Sequence, residues 1–119
     1  MVTVLVVDDL PSARILLRAQ LRAAGADIEV VAEANDGADA VARAAASRPD
    51  VILLDERMPL ANGSEVLPRL REVSPDSRII MLTAHVDEHL AASDRGAANA
   101  DGCLEKGSPL RELIDLIRG

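Results

Sequence analysis

Five times along its 119 residues the chain passes from a short, continuously apolar run into a stretch with helical spacing. The strand candidates are Val2–Val7, Ile28–Ala32, Val51–Leu54, Arg78–Leu82 and Gly102–Glu105. Val51-Ile52-Leu53-Leu54 and Ile79-Ile80-Met81-Leu82 are apolar at every position. That suits strands covered by helices on both faces, not strands with one wet side. Strands and helices in this alternation specify a doubly wound α/β domain with a parallel sheet. In such sheets the functional crevice lies beyond the carboxyl ends of the strands.

The first helix is expected from about Ser12 to Ala24, with Pro11 at its start. Ala13, Leu17, Leu21 and Ala24 form its buried stripe with Leu16 beside it, and Arg14, Arg18 and Arg22 recur every fourth residue on another face. A second helix follows Gly37 and turns Ala40, Val41, Ala44 and Ala45 inward. A third starts near Ser64, placing Pro68 in its first turn or just after it. The fourth, about Asp87 to Arg95, offers only a thin apolar face around Leu90 and Ala91. The fifth opens after a Ser108 cap and Pro109 and buries Leu110, Leu113, Ile114 and Ile117.

A hydrophobic content of 49% supports a real interior, and the length fits one domain spanning residues 1–119. No apolar run reaches the roughly 18 residues that a membrane helix needs, and the opening Val2–Val7 reads as a strand, not a secretory leader. Cys103 is the only cysteine, which excludes an internal disulfide and fits a reducing cytoplasm. A formal net charge of -7 and the absence of Phe, Tyr and Trp argue against direct nucleic-acid binding. Of thirteen Lys and Arg residues only Lys106 is a lysine, and it stands at the end of a strand candidate. A compact ammonium on a flexible stem suits that position, chance retention of a single lysine being the bland alternative.

The informative polar residues stand where strands end. Asp8-Asp9 follow the first strand, Asp55 the third, Thr83 the fourth and Lys106 the fifth. In a parallel sheet these ends share one edge, so three carboxylates, a hydroxyl and an ammonium converge from four loops. Three clustered carboxylates repel and raise each other's pKa unless a cation joins them. A hard divalent ion such as Mg²⁺ takes oxygen ligands and keeps positions open for phosphate oxygens. With it, an aspartate can act as nucleophile towards a phosphoryl group, whose charge is met by the metal, by Lys106 and by Thr83. Taken singly each residue has a bland alternative: an acidic helix cap, a strand-end carboxylate, an ordinary strand threonine. Their joint occurrence at successive strand ends does not.

The chain resembles the response-regulator receiver family over essentially its whole length. The matching stretches are Val4–Asp9, Asp50–Asp55 with Met58-Pro59, Asn62-Gly63, Met81–Ala84 and Ala100–Lys106. Similarity is greatest to receivers that precede helix-turn-helix output domains. The resemblance implies a flavodoxin-like, five-stranded parallel sheet in the order 2-1-3-4-5 with five helices. It further implies that Asp55 takes a phosphoryl group from a histidine kinase or phosphotransfer protein. Mg²⁺ would be held by Asp8, Asp9, Asp55 and the backbone carbonyl of Arg57, and Thr83 and Lys106 would engage the phosphoryl oxygens. Such a domain catalyses only its own phosphorylation and dephosphorylation, the latter tuned by residues such as Arg57 and His85. Its readout face, for an output domain or a homodimer, is the fourth helix, fifth strand and fifth helix. The Arg14, Arg18, Arg22 stripe has two readings: a solvated helix face, as most such stripes are, or, since the first helix of receivers commonly docks on the kinase, a contact for acidic residues of that partner.

Two positions depart from the family pattern. Cys103 stands where Tyr or Phe usually acts as a rotamer switch, and is expected to be a small buried hydrophobe. Gly107 follows Lys106 where many relatives have proline, so no cis bond is expected there. Other functions fit less well. A haloacid-dehalogenase-type phosphatase wants a second aspartate two residues after the nucleophile, where this chain has Arg57. A flavin carrier wants a hydroxyl-rich phosphate loop and aromatics, both missing. A receiver fold used only as an unphosphorylated adaptor would not need the complete acidic set.

Overall fold

The computed structural model describes residues 1–58, 61–83 and 100–119. Its elements run β1 (Val2–Val7), α1 (Pro11–Ala24), β2 (Ile28–Ala34), α2 (Gly37–Ser47), β3 (Val51–Asp55), α3 (Gly63–Val73), β4 (Arg78–Thr83), β5 (Gly102–Glu105) and α4 (Leu110–Arg118). The helix expected at Asp87 to Arg95, together with Pro59 and His85, lies outside the described residues. The strands form one parallel sheet in the order β2-β1-β3-β4-β5, as expected.

Because strand side chains alternate between faces, the continuously apolar runs feed two cores at once. Val4, Val6, Val51, Leu53, Ile80 and Leu82 point to one face, where Leu21 of α1 and Leu113, Ile114 and Ile117 of α4 cover them. Leu5, Val7, Ile52, Leu54, Ile79 and Met81 point to the other, under Ala40 and Ala44 of α2 and Val66, Leu67 and Leu70 of α3. Burying each large side chain contributes about 1.5–3 kcal/mol, so the central strands are the firmest part of the molecule.

At the edge of the sheet, Val4 pairs with Val30 but Leu5 with Ala32, so Val31 is an extra, exposed residue in β2. Such a bulge on an edge strand turns its free backbone away from chance partners. With it β2 runs two residues beyond the expected end, to Ala34.

Several local expectations are corrected. Leu16 is 58% exposed instead of lying beside the buried stripe, because the α1 face towards the sheet is narrow and centres on Leu21. Ala45 is exposed, since α2 turns only Gly37, Ala40 and Ala44 fully inward. Pro68 is the sixth residue of α3 and lies inside the helix, which gives up one internal hydrogen bond there. Pro109 itself occupies the cap position of α4, and no side chain caps that helix. Leu110 is only partly buried.

The amino rim of the sheet is tied by polar bonds. Thr3 donates its N–H and hydroxyl to Asp50 Oδ2 at 2.8 and 3.1 Å, and the Asp50 N–H returns to Thr3 Oγ1 at 2.9 Å. Nearby, the buried Ser77 hydroxyl bonds to the Pro49 carbonyl and to the Ser74 hydroxyl.

Candidate functional site

At the carboxyl rim the backbone leaves four strands and brings polar groups together. Asp8 directly follows β1, its N–H bound to the Ala34 carbonyl at 3.0 Å. Asp55 is the last residue of β3 and Thr83 the last of β4. All three are buried. Lys106 follows β5, and its backbone N–H donates to the Thr83 carbonyl at 2.7 Å.

The side chains then meet. Lys106 Nζ lies 2.9 Å from Asp55 Oδ1 and 3.6 Å from Asp8 Oδ2. Asp8, Asp9 and Asp55 each present a carboxylate oxygen, all within 4.8 Å of one another. Asp8 Oδ1 also accepts the Leu10 N–H at 3.0 Å, and Asp55 Oδ1 accepts the Arg57 N–H at 3.3 Å. Three acidic side chains and the ammonium are thus at one point, with Thr83 joined to it through the Lys106 backbone. Arg57 contributes a backbone contact while its side chain faces solvent.

Electrostatics shows what the cluster lacks. Burial pushes the Asp55 carboxyl above its ordinary value; Lys106 opposes this by hydrogen bond and charge, and Asp8 reinforces it. Burial would pull the Lys106 ammonium down, but the hydrogen bond and charge of Asp55, with the charge of Asp8, hold it above the usual lysine range. One ammonium against three carboxylates leaves a net negative pocket. An oxygen-seeking cation bound by Asp8, Asp9 and Asp55 would relieve that repulsion, and the donor set, all carboxylate, fits Mg²⁺ better than a soft metal.

Neighbouring residues shape the site in ways that spacing did not reveal. The Arg14 guanidinium donates to the Asp8 carbonyl at 2.6 Å and lies 3.4 Å from Glu33, which also takes Arg18 at 2.8 Å. The arginine stripe is therefore partly consumed inside the molecule. Gly63 opens α3 so close to the site that a Cβ there would sit 2.5 Å from the Asp55 carbonyl oxygen and 3.0 Å from Met81 Sδ. Its N–H donates to the Glu56 carbonyl at 2.8 Å, and Ser64 Oγ donates to Glu56 Oε1 at 3.1 Å. Cys103 is half-buried instead of fully enclosed; burial pushes its thiol up and the charge of Glu56 adds to this. Beside the site a largely apolar groove of about 390 Å³ runs between α1 and the turn after β5, from Leu16 and Leu17 to Lys106.

The chain matches the family model described as the response regulator receiver domain over residues 4–118. It is 40% identical over 117 residues to the response regulator MprA of Mycobacterium leprae, covering 97% of this chain and 49% of that protein. It is 39% identical over 114 residues to the nitrate/nitrite response regulator NarL of Escherichia coli K12, covering 94% of this chain and 51% of that one. The chain thus spans about half the length of these curated relatives. Among solved structures it resembles the response regulator TrrA of Thermotoga maritima, crystallised with Mg²⁺ and BeF, at a TM-score of 0.85 and 31% identity, covering 99% of this chain and 97% of that one. TrrA has also been solved in complex with the histidine kinase ThkA.

Proposed function

The chain belongs to the response regulator receiver domain family, and from that membership we propose that its Asp55 carboxylate accepts a phosphoryl group from a histidine kinase or phosphotransfer protein. It is a receiver domain of two-component signalling, and residues 1–119 make up one such unit. The observation that carries the Asp55 assignment is the meeting of Asp8, Asp9, Asp55 and Lys106 at one rim of the sheet.

Asp8, Asp9 and Asp55, with the Arg57 backbone carbonyl, would hold Mg²⁺, which supplies charge neutralisation for the transferring group. An Asp55 oxygen attacks phosphorus, the bond to the donor nitrogen breaks, and an aspartyl phosphate remains on the chain. The Lys106 ammonium, already 2.9 Å from Asp55, follows the incoming charge. The Thr83 hydroxyl takes a second phosphoryl oxygen. Asp8 keeps its place through Leu10 N–H and Arg14, so the acceptor geometry exists before any donor arrives. Phosphorylation adds about 1.5 to 2 negative charges and biases the domain towards an active arrangement through Thr83 and Lys106. The same reading includes autophosphorylation from small donors and self-catalysed loss of the group.

The kinase is expected to approach over α1. Exposed Leu10 and Leu16 line the groove that ends at Lys106, and exposed Ile15 is the neighbour of Leu16 on α1; TrrA shows that a structurally similar chain forms a complex with a histidine kinase. The readout to an output domain or second copy uses the face that includes β5 and α4. No helix among the described residues is long and apolar enough to cross a membrane; the proposed cytoplasmic site of action rests on the family membership.

The test is incubation with acetyl phosphate and Mg²⁺ followed by intact-mass measurement. The chain should gain one phosphoryl group, whereas Asp55→Asn and chelator-treated samples should gain none. Labelling that persists in Asp55→Asn would assign the acceptor elsewhere. An unlabelled wild type would favour the adaptor reading.

A further inference from the structure

We propose that Gly107 is a positioning residue, whose left-handed backbone aims the Lys106 ammonium at Asp55. The inference deepens the reading of Lys106 given above and rests on it for its functional half.

The turn after β5 is short and tightly tied. The Lys106 N–H is fixed to the Thr83 carbonyl at 2.7 Å, and the Ser108 N–H returns to the Glu105 carbonyl at 3.2 Å. Between these bonds Gly107 adopts φ +91, a conformation that costs a residue with a Cβ about 1–2 kcal/mol, or roughly tenfold in population. Among the described residues a Cβ built at Gly107 meets nothing within 4 Å, and Gly107 is exposed. No packing among the described residues therefore calls for glycine here. What glycine supplies is the backbone angle alone.

That angle controls where Lys106 points. With its own N–H pinned to β4, the remaining freedom of the Lys106 backbone lies on the Gly107 side. Its side chain must reach Asp55 Oδ1 at 2.9 Å and Asp8 Oδ2 at 3.6 Å at the same time. A side chain at 107 would favour negative φ, re-aim the turn, and draw the ammonium off the two carboxylates. The site would keep its acids and lose its cation.

Lysine occurs once in the chain, so labelling lysine with ¹³C at Cε yields one side-chain signal, that of Lys106. In the intact chain this signal should differ from free lysine and should move in Asp55→Asn. In Gly107→Ala and Gly107→Ser it should shift towards the free-lysine position, and labelling by acetyl phosphate with Mg²⁺ should slow by roughly tenfold, the factor set by the strain. Gly107→Asn should recover both properties to within about threefold, because asparagine tolerates positive φ. Circular dichroism should show that all three variants remain folded, as expected for an exposed turn. An alanine variant matching wild type in signal and rate would overturn the proposal, as would an asparagine variant as impaired as alanine. If the wild type itself takes no phosphoryl group, the functional reading fails, while the Lys106 signal still decides what Gly107 does.

Discussion

Asp55 is a carboxylate kept where a carboxylate is costly. Burial raises its pKa above the unfolded value, so ionising this carboxyl is harder in the folded chain than in the unfolded one. The sign then follows. As pH rises above the ordinary carboxylate range, the metal-free fold must hold an ionised buried group and loses stability relative to an Asn variant. Asp55→Asn should therefore raise Tm at neutral pH without Mg²⁺, and the gain should shrink at acidic pH; thermal melts at both conditions check this. Gly63→Ala should destabilise by about 1–3 kcal/mol, because its Cβ would press on the Asp55 carbonyl at 2.5 Å; urea titration measures it. Asp8, Asp9, Asp55, Thr83 and Lys106 were legible because parallel strands force successive carboxyl ends onto one rim. Arg14 and Gly107 were not, because their roles depend on a guanidinium reaching Asp8 across six residues and on a backbone angle, neither of which leaves a periodic trace.

The helices are held by side chains that spacing alone could not assign. Arg78, at the start of β4, donates to the Leu116 carbonyl at 2.8 Å and to the Ile117 carbonyl, so it closes the last turn of α4. Arg118 continues the tie by bonding Asp27 Oδ2 at 2.8 Å. Charged hydrogen bonds of this kind contribute about 1.5–3 kcal/mol when partly buried, so Arg78→Ala should cost roughly that much and release α4 first. Faster amide exchange confined to residues 113–118 is the expected signature. On α1, Ile15→Glu with Leu16→Glu should slow transfer from a kinase at least about tenfold, as loss of an apolar anchor does, while acetyl phosphate labelling stays unchanged. Equal loss in both assays would mean that the face serves the fold instead of the partner. Among the described residues element identity was readable from periodicity, and the errors came from depth. Leu16 and Ala45 match the apolar stripe in spacing yet lie past the edge of what the sheet covers.

For the molecule as a whole, the acidic pocket sits within a chain of net charge -7, so a bound cation acts on stability as well as chemistry. Mg²⁺ at a hundredfold above its Kd should stabilise the fold by about 2.7 kcal/mol, an effect that Asp8→Asn should largely remove in thermal melts. The opposite rim behaves independently. The Thr3 N–H and hydroxyl bonds hold the Asp50 carboxyl below its ordinary value, so the clamp is intact above the unfolded pKa and is lost as pH falls through the depressed folded one. Asp50→Ala should cost about 1 kcal/mol and leave a shallower acid limb, without touching phosphoryl acceptance.

That separation has a consequence for how such a domain can change. The Thr3–Asp50 clamp lies at one rim of the sheet, and the mutually repelling acids lie a strand's length away. Side-chain changes at the acidic rim therefore leave the Thr3–Asp50 clamp untouched, so the chemistry can be retuned without loosening that end of the scaffold.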